Sequence, residues 1–363
     1  MEYLNKAYDL IDKINSYGYE AYIIGGAVRD YLLKKEINDI DITTNMSIED
    51  LKKHFSYIDN GSSYLSITID YCGYNYEITT YRCDSTYDDY RHPIATPAAT
   101  LKEDVIRRDF TINAIAMNRN EIIDYCEGKK DLENKIIKAI GNPLARFNED
   151  ALRILRACNF ASKLDFDIET NTLKAIIACK RNLIYLSNER IIDYIFKIIY
   201  QINTKGLEYI NNYDLFEYIP IYKKAINTFN STLTIDENYL LYYYKYNEEL
   251  PTMPKSAKKY ISTINQLIKE GFTLYNIFIH KAEILMFKNL IKALNYDIDD
   301  IIFKLNNLKI NSIKELALSQ AKIASMFSGK NIATSIKRVI EEILEGRINN
   351  EEKEIIHYLE GIR

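Results

Sequence analysis

Apolar positions change their period part-way along the chain. Residues 1 to about 135 mix helical and alternating stretches, whereas from about 136 onward apolar residues recur at i, i+3 and i+4 almost without interruption. The simplest architecture is an α/β head on an all-helical stalk. In the head, residues 2–16 predict a helix, YIIGG a short strand ending in two glycines, AVRDYLLKK the next helix and NDIDITT a second strand. YLSITIDY and YNYEITTYR flank Cys72 and Gly73 and predict a hairpin. Residues 83–100, CDSTYDDYRHPIATPAAT, carry prolines, mixed charge and little periodicity, and predict a long mobile loop. Helices are predicted for DFTINAIAM, NEDALRILRACNFASKL, NTLKAIIACKRNL and NERIIDYIFKIIYQI, with NPLARF as a break before the second.

Composition narrows the class. The 363 residues, 47% hydrophobic and 27% charged, suffice for two or three packed units and exclude a disordered or collagen-like chain. Lys plus Arg number 47 against 51 Asp plus Glu, a net charge of -4, so a polyanion would have to be held by a local patch. The five cysteines form no CxxC pair, and MEYLNKAYDLIDKI is amphipathic and charged, unlike a secretory signal; reduced thiols in a cytoplasmic protein are expected. None of the four histidines has zinc-site spacing, and no apolar run approaches the roughly 18 residues of a membrane span, so no membrane partner is expected.

Asp39 and Asp41 stand two apart in a strand pattern, which sends both side chains from one face about 7 Å apart. Hard oxygen ligands so placed suit magnesium ions in phosphoryl transfer, although a bare DxD is more often a pair of solvated acids. Gly25 and Gly26 precede a helix carrying Arg29, so backbone N–H groups and a guanidinium could face a triphosphate. Neither GxGxxG nor GxxxxGK[ST] occurs, which disfavours a Rossmann or P-loop site. Glu77, in YNYEITTYR, is a candidate third carboxylate, as metal ligand or as acceptor of a hydroxyl proton, or else a plain surface glutamate. RRDFTINAIA places Arg108, Asp109 and Asn113 where an arginine fork meets phosphate and Asp109 or Asn113 a ribose hydroxyl; Asp109 could equally be a helix cap.

In NEDALRILR, Glu149 and Arg153 stand at i, i+4, with Asp150 at i, i+3 from Arg153. A solvated salt bridge is the default reading. The more specific one is a buried Asp150 acceptor beside an Arg153 donor held by Glu149. Cytosine and adenine both offer an amino donor next to a ring-nitrogen acceptor, whereas guanine and uracil invert that order. Two unmade contacts cost about 2–6 kcal/mol, enough to exclude the inverted bases.

Taken in order, GGAVRD, LLKKEINDIDITT, YEITTYR, YDDYRHP, RRDFTINAIA, GKKDLENKIIKAIGNP, RFNEDALRILRACNFASKL and LSNERI resemble the motifs of class II tRNA nucleotidyltransferases, the CCA-adding enzymes and their poly(A) polymerase relatives. The C-terminal GKNIATSIKRVIEEILEGRINNEEKEIIHYL is similar to the tail of the CCA-adding branch. The resemblance implies an α+β chain: a DNA polymerase β-like nucleotidyltransferase head with a mixed sheet at 1–135, then a helical neck at 136–200, body at 201–270 and tail at 271–363. It further implies metal binding by Asp39 and Asp41, triphosphate contact by Gly25, Gly26 and Arg29, ribose and phosphate contact by Arg108 and Asp109, and base reading by Asp150 and Arg153. Glu149, Glu189 and Arg190 would orient that reader, and Arg91 would lie in a flexible loop linked to the switch from C to A. The expected reaction is transfer of CMP and AMP from CTP and ATP to the tRNA 3′ end with Mg2+. The alternatives are a poly(A) polymerase, a partial CC- or A-adding enzyme, or a catalytically silent RNA-binding module. Two departures stand out: Lys34 where the family has glycine, and Asn159 where it has arginine.

Overall fold

Contacts divide the chain into two units, Met1–Ile226 and Asn227–Arg363. The computed structural model describes residues 2–58, 65–87, 93–201, 203–219, 221–230, 232–250, 253–327 and 331–362. In the first unit the elements run α1 (Glu2–Ser16), β1 (Ala21–Ile24), α2 (Gly26–Leu32), β2 (Asp41–Thr44), α3 (Ile48–His54), β3 (Tyr57–Ile58), β4 (Ser66–Tyr71), β5 (Tyr74–Thr80), β6 (Arg82–Tyr87), β7 (Pro93–Pro97) and α4 (Leu101–Ile106). After them come β8 (Ile115–Met117), β9 (Ile122–Asp124), α5 (Gly128–Glu133), β10 (Ile136–Ile137), α6 (Pro143–Glu149), α7 (Leu152–Leu164), β11 (Asp167–Ile168), α8 (Thr170–Cys179), α9 (Asn188–Ile199) and α10 (Lys205–Asn212).

Seven strands form a mixed sheet in the order β3-β4-β5-β2-β1-β8-β9. Only β2 and β5 pair in parallel; the other neighbours are antiparallel. α1 buries Ala7, Leu10, Ile11 and Ile14, one stripe at helical spacing. The β4–β5 hairpin closes through Cys72 (φ 53) and Gly73 (φ 81), two left-handed residues as a tight two-residue turn requires.

Several expectations are corrected. DFTINAIAM is not a helix: Thr111–Asn113 make one 3-10 turn and Ile115–Met117 become β8, fully buried beside β1. A short apolar run buried on both faces carries no period to separate strand from helix. Asp109 therefore caps no α-helix. NPLARF is no break but the start of α6, with Asn142 accepting from the N–H groups of Leu144 and Ala145 and Pro143 in the first turn. The helix expected over NEDALRILRACNFASKL is interrupted, α6 ending at Glu149 and α7 beginning at Leu152. The described part of 83–100 is not loop but the β6–β7 pair, with Arg82 opposite Pro97 and Cys83 opposite Thr96. Lys34, the departure from the family glycine, sits at φ 56, the left-handed geometry that glycine adopts most cheaply.

In the second unit every element among the described residues is helical, around Leu267, Ile277, Ile284, Leu290, Ile340 and Leu359. Tyr242 is fully buried there, a packing residue.

Candidate active site

β1 ends where the chain must turn sharply into α2. Gly25 makes that turn at φ 78, ψ -131, a conformation that side chains oppose, and its carbonyl accepts the Arg29 N–H at 3.2 Å. A Cβ at Gly25 would stand 3.6 Å from Arg108 Nη1 and 4.0 Å from Asp41 Oδ2, so this turn, a guanidinium and a carboxylate share one corner of the sheet.

Asp41 opens β2, and the parallel ladder pairs it directly with Glu77 of β5. Opposite residues of a ladder share a face, about 4.8 Å apart along the hydrogen-bonding direction. Asp39 lies two residues before the strand rather than within it, exposed. Desolvation, Glu77 and Asp39 raise the Asp41 carboxyl above its ordinary value, more than Arg108 lowers it. Asp41 thus feels both Asp39 and Glu77, and Arg108 offsets only part of that negative charge.

Arg108 is placed by a residue that sequence reasoning missed. Asp104, fully buried within α4, accepts Arg107 Nη2 at 2.9 Å, Arg108 Nη2 at 3.1 Å and Thr43 Oγ1 at 3.3 Å. Burial would raise Asp104, but Arg108 and Arg107 hold it below the usual carboxylate range. Arg108 Nε is buried with no hydrogen-bond partner among the described residues, and Nη1 faces Gly25. Asp104 was findable: acids at i-3 and i-4 from two arginines are a standard helical pairing.

Arg29 and Asp109 occupy a second cluster. Arg29, 3% exposed, donates to both oxygens of Asp30 at 2.8 and 3.0 Å and to Asn113 Oδ1 at 2.8 Å. Asn113 Nδ2 donates to Asp109 Oδ1 at 3.3 Å, and Arg156 donates to Asp109 Oδ2 at 2.6 Å and to the Tyr194 hydroxyl at 2.8 Å. Both Arg29 and Arg156 lie over the Phe160 ring, at 5.5 and 5.7 Å. Arg29 is thus held by Asp30 and Asn113 with its Nη2 3.6 Å from where a Cβ at Gly26 would stand, while the guanidinium beside Gly25 is that of Arg108. Arg156 and Tyr194 are further residues that sequence reasoning missed; α7 repeats an arginine at i+3 from Arg153, which was the available signal.

The break between α6 and α7 holds the proposed base reader. Asp150 is half-buried rather than buried, because it sits in the interruption itself, where Oδ1 accepts the Leu152 N–H at 2.9 Å. Arg153 is buried, and its Nη1 donates to Glu149 Oε2 at 2.9 Å and to the Arg146 carbonyl at 3.0 Å. Arg146 also donates to Glu149, at 2.9 Å, and to the Ile106 carbonyl at 2.7 Å; Arg153 Nη2 reaches the Arg107 carbonyl at 3.5 Å. The carbonyls that end α4 thus receive two guanidiniums from the α6–α7 corner, next to Arg108. Glu189, exposed, and Arg190, half-buried, open α9 with no hydrogen bond to Glu149 or Asp150. Arg91 lies outside the described residues.

The donor set suits a hard divalent cation: carboxylate oxygens, with Asp41 raised by desolvation and then by Glu77. Among the described residues no three His, Cys, Asp or Glu side chains converge on one ion position. A site with two carboxylates, completed by nucleotide oxygens and water, matches the way a hard divalent cation is held beside phosphates.

A mixed sheet whose paired acids meet a glycine turn and an arginine, followed by helices, defines a nucleotidyltransferase. Residues 21–138 match the family "Poly A polymerase head domain", and residues 165–226 match "Probable RNA and SrmB- binding site of polymerase A". The CCA-adding enzyme of Staphylococcus haemolyticus (strain JCSC1435) is 32% identical over 400 residues, 99% of this chain and 98% of that protein. That of Staphylococcus aureus (strain MRSA252) is 31% identical over 390 residues, 98% and 97% of the two chains. The crystal structure of the Bacillus stearothermophilus CCA-adding enzyme in complex with CTP superposes with a TM-score of 0.74 at 26% identity, covering 99% of this chain and 97% of that one. The Thermotoga maritima CCA-adding enzyme complexed with tRNA shares the fold, at a TM-score of 0.53 and 19% identity over 100% and 96% of the chains. The chain belongs to the family of CCA-adding tRNA nucleotidyltransferases.

Proposed function

We propose that the chain transfers CMP and AMP from CTP and ATP to the 3′ hydroxyl of tRNA without a nucleic-acid template, in the cytoplasm and with Mg2+ as its cation. The observation that carries this reading is the Ile106–Arg108 segment. Its carbonyls accept from Arg146 and Arg153 of the base reader, while Arg108 reaches the Gly25–Asp41 corner. One short stretch of backbone therefore ties the letter-choosing side chains to the reacting acids.

Asp39 and Asp41 would hold the divalent cation, which supplies charge stabilisation for the attacking and leaving oxygens when bound. Arg108, with a buried Nε that lacks a partner among the described residues, binds triphosphate oxygens beside the Gly25 turn, whose glycine lets backbone approach the phosphates. Glu77, opposite Asp41, accepts the proton of the incoming 3′ hydroxyl. Asp150 keeps Oδ2 for the amino group of cytosine or adenine while Arg153 donates to the ring nitrogen, and Glu149 fixes the guanidinium. Asp109 is held for the ribose by Arg156, and the helices beyond residue 200 grip the tRNA.

The test is product length and composition on a tRNA lacking its CCA end, with CTP alone, ATP alone and both, beside an oligo(A) primer. Completion to CCA with both nucleotides is expected. Long A tails on the primer would mean a poly(A) polymerase, products stopping at CC or requiring prior CC a partial enzyme, and no addition an RNA-binding module. Asp39→Ala and Asp41→Ala must each abolish addition; unchanged products would overturn the reading.

A further inference from the structure

The parallel ladder between β2 and β5 begins at Asp41 and Glu77, so Asp39 lies beyond the last rung and no sheet hydrogen bond fixes it. Continued by two residues, the register would set Ile40 opposite Tyr76 and Asp39 opposite Asn75. A side chain from α1 enters there. The Tyr3 hydroxyl accepts the Ile40 N–H at 3.3 Å and donates to the Asn75 carbonyl at 3.3 Å. Its ring stacks on Tyr76 at 5.2 Å and 20° and leans on Tyr74 at 5.2 Å, and the Tyr76 hydroxyl donates back to the Tyr3 carbonyl at 3.0 Å. The Ile40 side chain is itself 2% exposed, which anchors the peptide that the phenol holds.

We propose that Tyr3 is a positioning residue for the cation site: its hydroxyl replaces the missing ladder rung and fixes Asp39 relative to Asp41 and Glu77. The inference rests on the reading of these acids as the cation site. One phenol uses its acceptor on the peptide between the two aspartates and its donor on the strand that carries Glu77. Losing it leaves the Ile40 N–H without its partner and leaves Asp39 on an untethered stretch. Packing of the rings survives in phenylalanine, so the chemistry of the hydroxyl can be removed alone. Partners that orient metal ligands typically change affinity by about tenfold or more when removed.

The experiment compares the full-length chain with its Tyr3→Phe variant, and with Tyr8→Phe, whose hydroxyl on the same helix meets Met117 instead. Three readouts are taken: Mn2+ binding by electron paramagnetic resonance in the presence of a non-hydrolysable CTP analogue, the Mg2+ concentration giving half-maximal CMP addition, and hydrogen exchange of the Ile40 amide. For Tyr3→Phe, Mn2+ binding about tenfold weaker, a matching rise in required Mg2+ with an unchanged tRNA KM, and faster Ile40 exchange are expected, with Tyr8→Phe like the parent. Unchanged Mn2+ binding and Mg2+ dependence in Tyr3→Phe would overturn the proposal, whether or not the variant melts earlier. A parent chain that adds no nucleotide would instead overturn the functional reading, and the two failures are thereby told apart.

Discussion

Arg156 of α7 and Asp109 of the segment before β8 meet at 2.6 Å, and the carboxylate is only 8% exposed. Burial pushes the Asp109 carboxyl up, but Arg156, the Phe110 N–H and Asn113 hold it below its ordinary value. Removing one partner of such a pair leaves the other charge buried and unpaired. Arg156→Met should therefore destabilise the first unit by about 3 kcal/mol, measured by urea unfolding at pH 7. The pH dependence fixes the sign. A folded carboxyl held below its unfolded value, about 3.9, contributes stability that is present above that value and lost as pH falls through the lower folded one. The parent should lose stability across that acid window, and in Arg156→Met this part of the loss should shrink or reverse.

Asp41 has the opposite linkage. Desolvation and Glu77 raise its folded value, so Asp41 opposes folding as pH rises through that value, an effect that solvent screens because the residue is exposed. In metal-free buffer at pH 7, Asp41→Asn should melt at the parent's temperature or slightly above it, the like-charge relief being screened by solvent, while nucleotide addition falls by at least about 10^3. A lowered melting temperature would contradict the like-charge account.

Base choice depends on Arg153 being held from behind. Glu149→Gln removes the charge that orients Arg153 and Arg146. Addition of GMP or UMP should rise by about tenfold relative to CMP, one hydrogen bond's worth of discrimination, with little change in the dependence on Mg2+. Competition assays with mixed nucleotides read this directly.

Gly25→Ala separates backbone strain from crowding. The added Cβ would meet Arg108 and Asp41 at ordinary contact distances, so the penalty comes from φ 78, ψ -131, about 1–3 kcal/mol. A turn that relaxes must move away from Asp41, so CTP binding should weaken along with stability. Gly128→Ala is a contrasting case. Its Cβ would collide with the Thr111 carbonyl, so it should lower the stability of the head while the fraction that remains folded binds CTP like the parent.

Much of this molecule is legible in its residues. The α1 stripe, the Gly-Gly turn, the Cys72-Gly73 hairpin and the helical stalk follow from periods and turn chemistry that neighbours in sequence enforce. Errors fell where local pattern is silent. Ile115–Met117 is apolar throughout and so carries no period, while the α6–α7 break at Asp150 is made by a side chain bonding a backbone N–H two residues on. The sites named from the residues likewise divide: Asp41, Glu77 and Gly25 converge, whereas Arg29 turns to Asp30 and Asn113, and Arg108 takes its corner.

Which chemistry the chain carries can be read from its residues: two acids two apart, a glycine turn, an acidic-arginine reader, and the ordered motifs of one family. Tertiary structure alone decided which of these side chains are free and which are spent. The β2–β5 register sets Asp41 against Glu77, residues 36 apart in the chain, and Arg156 claims Asp109, a partner that no spacing rule could assign. Periodicity reports only the nearest turns of chain, whereas a carboxylate's charge state and an arginine's availability are set by whatever the fold brings within about 4 Å.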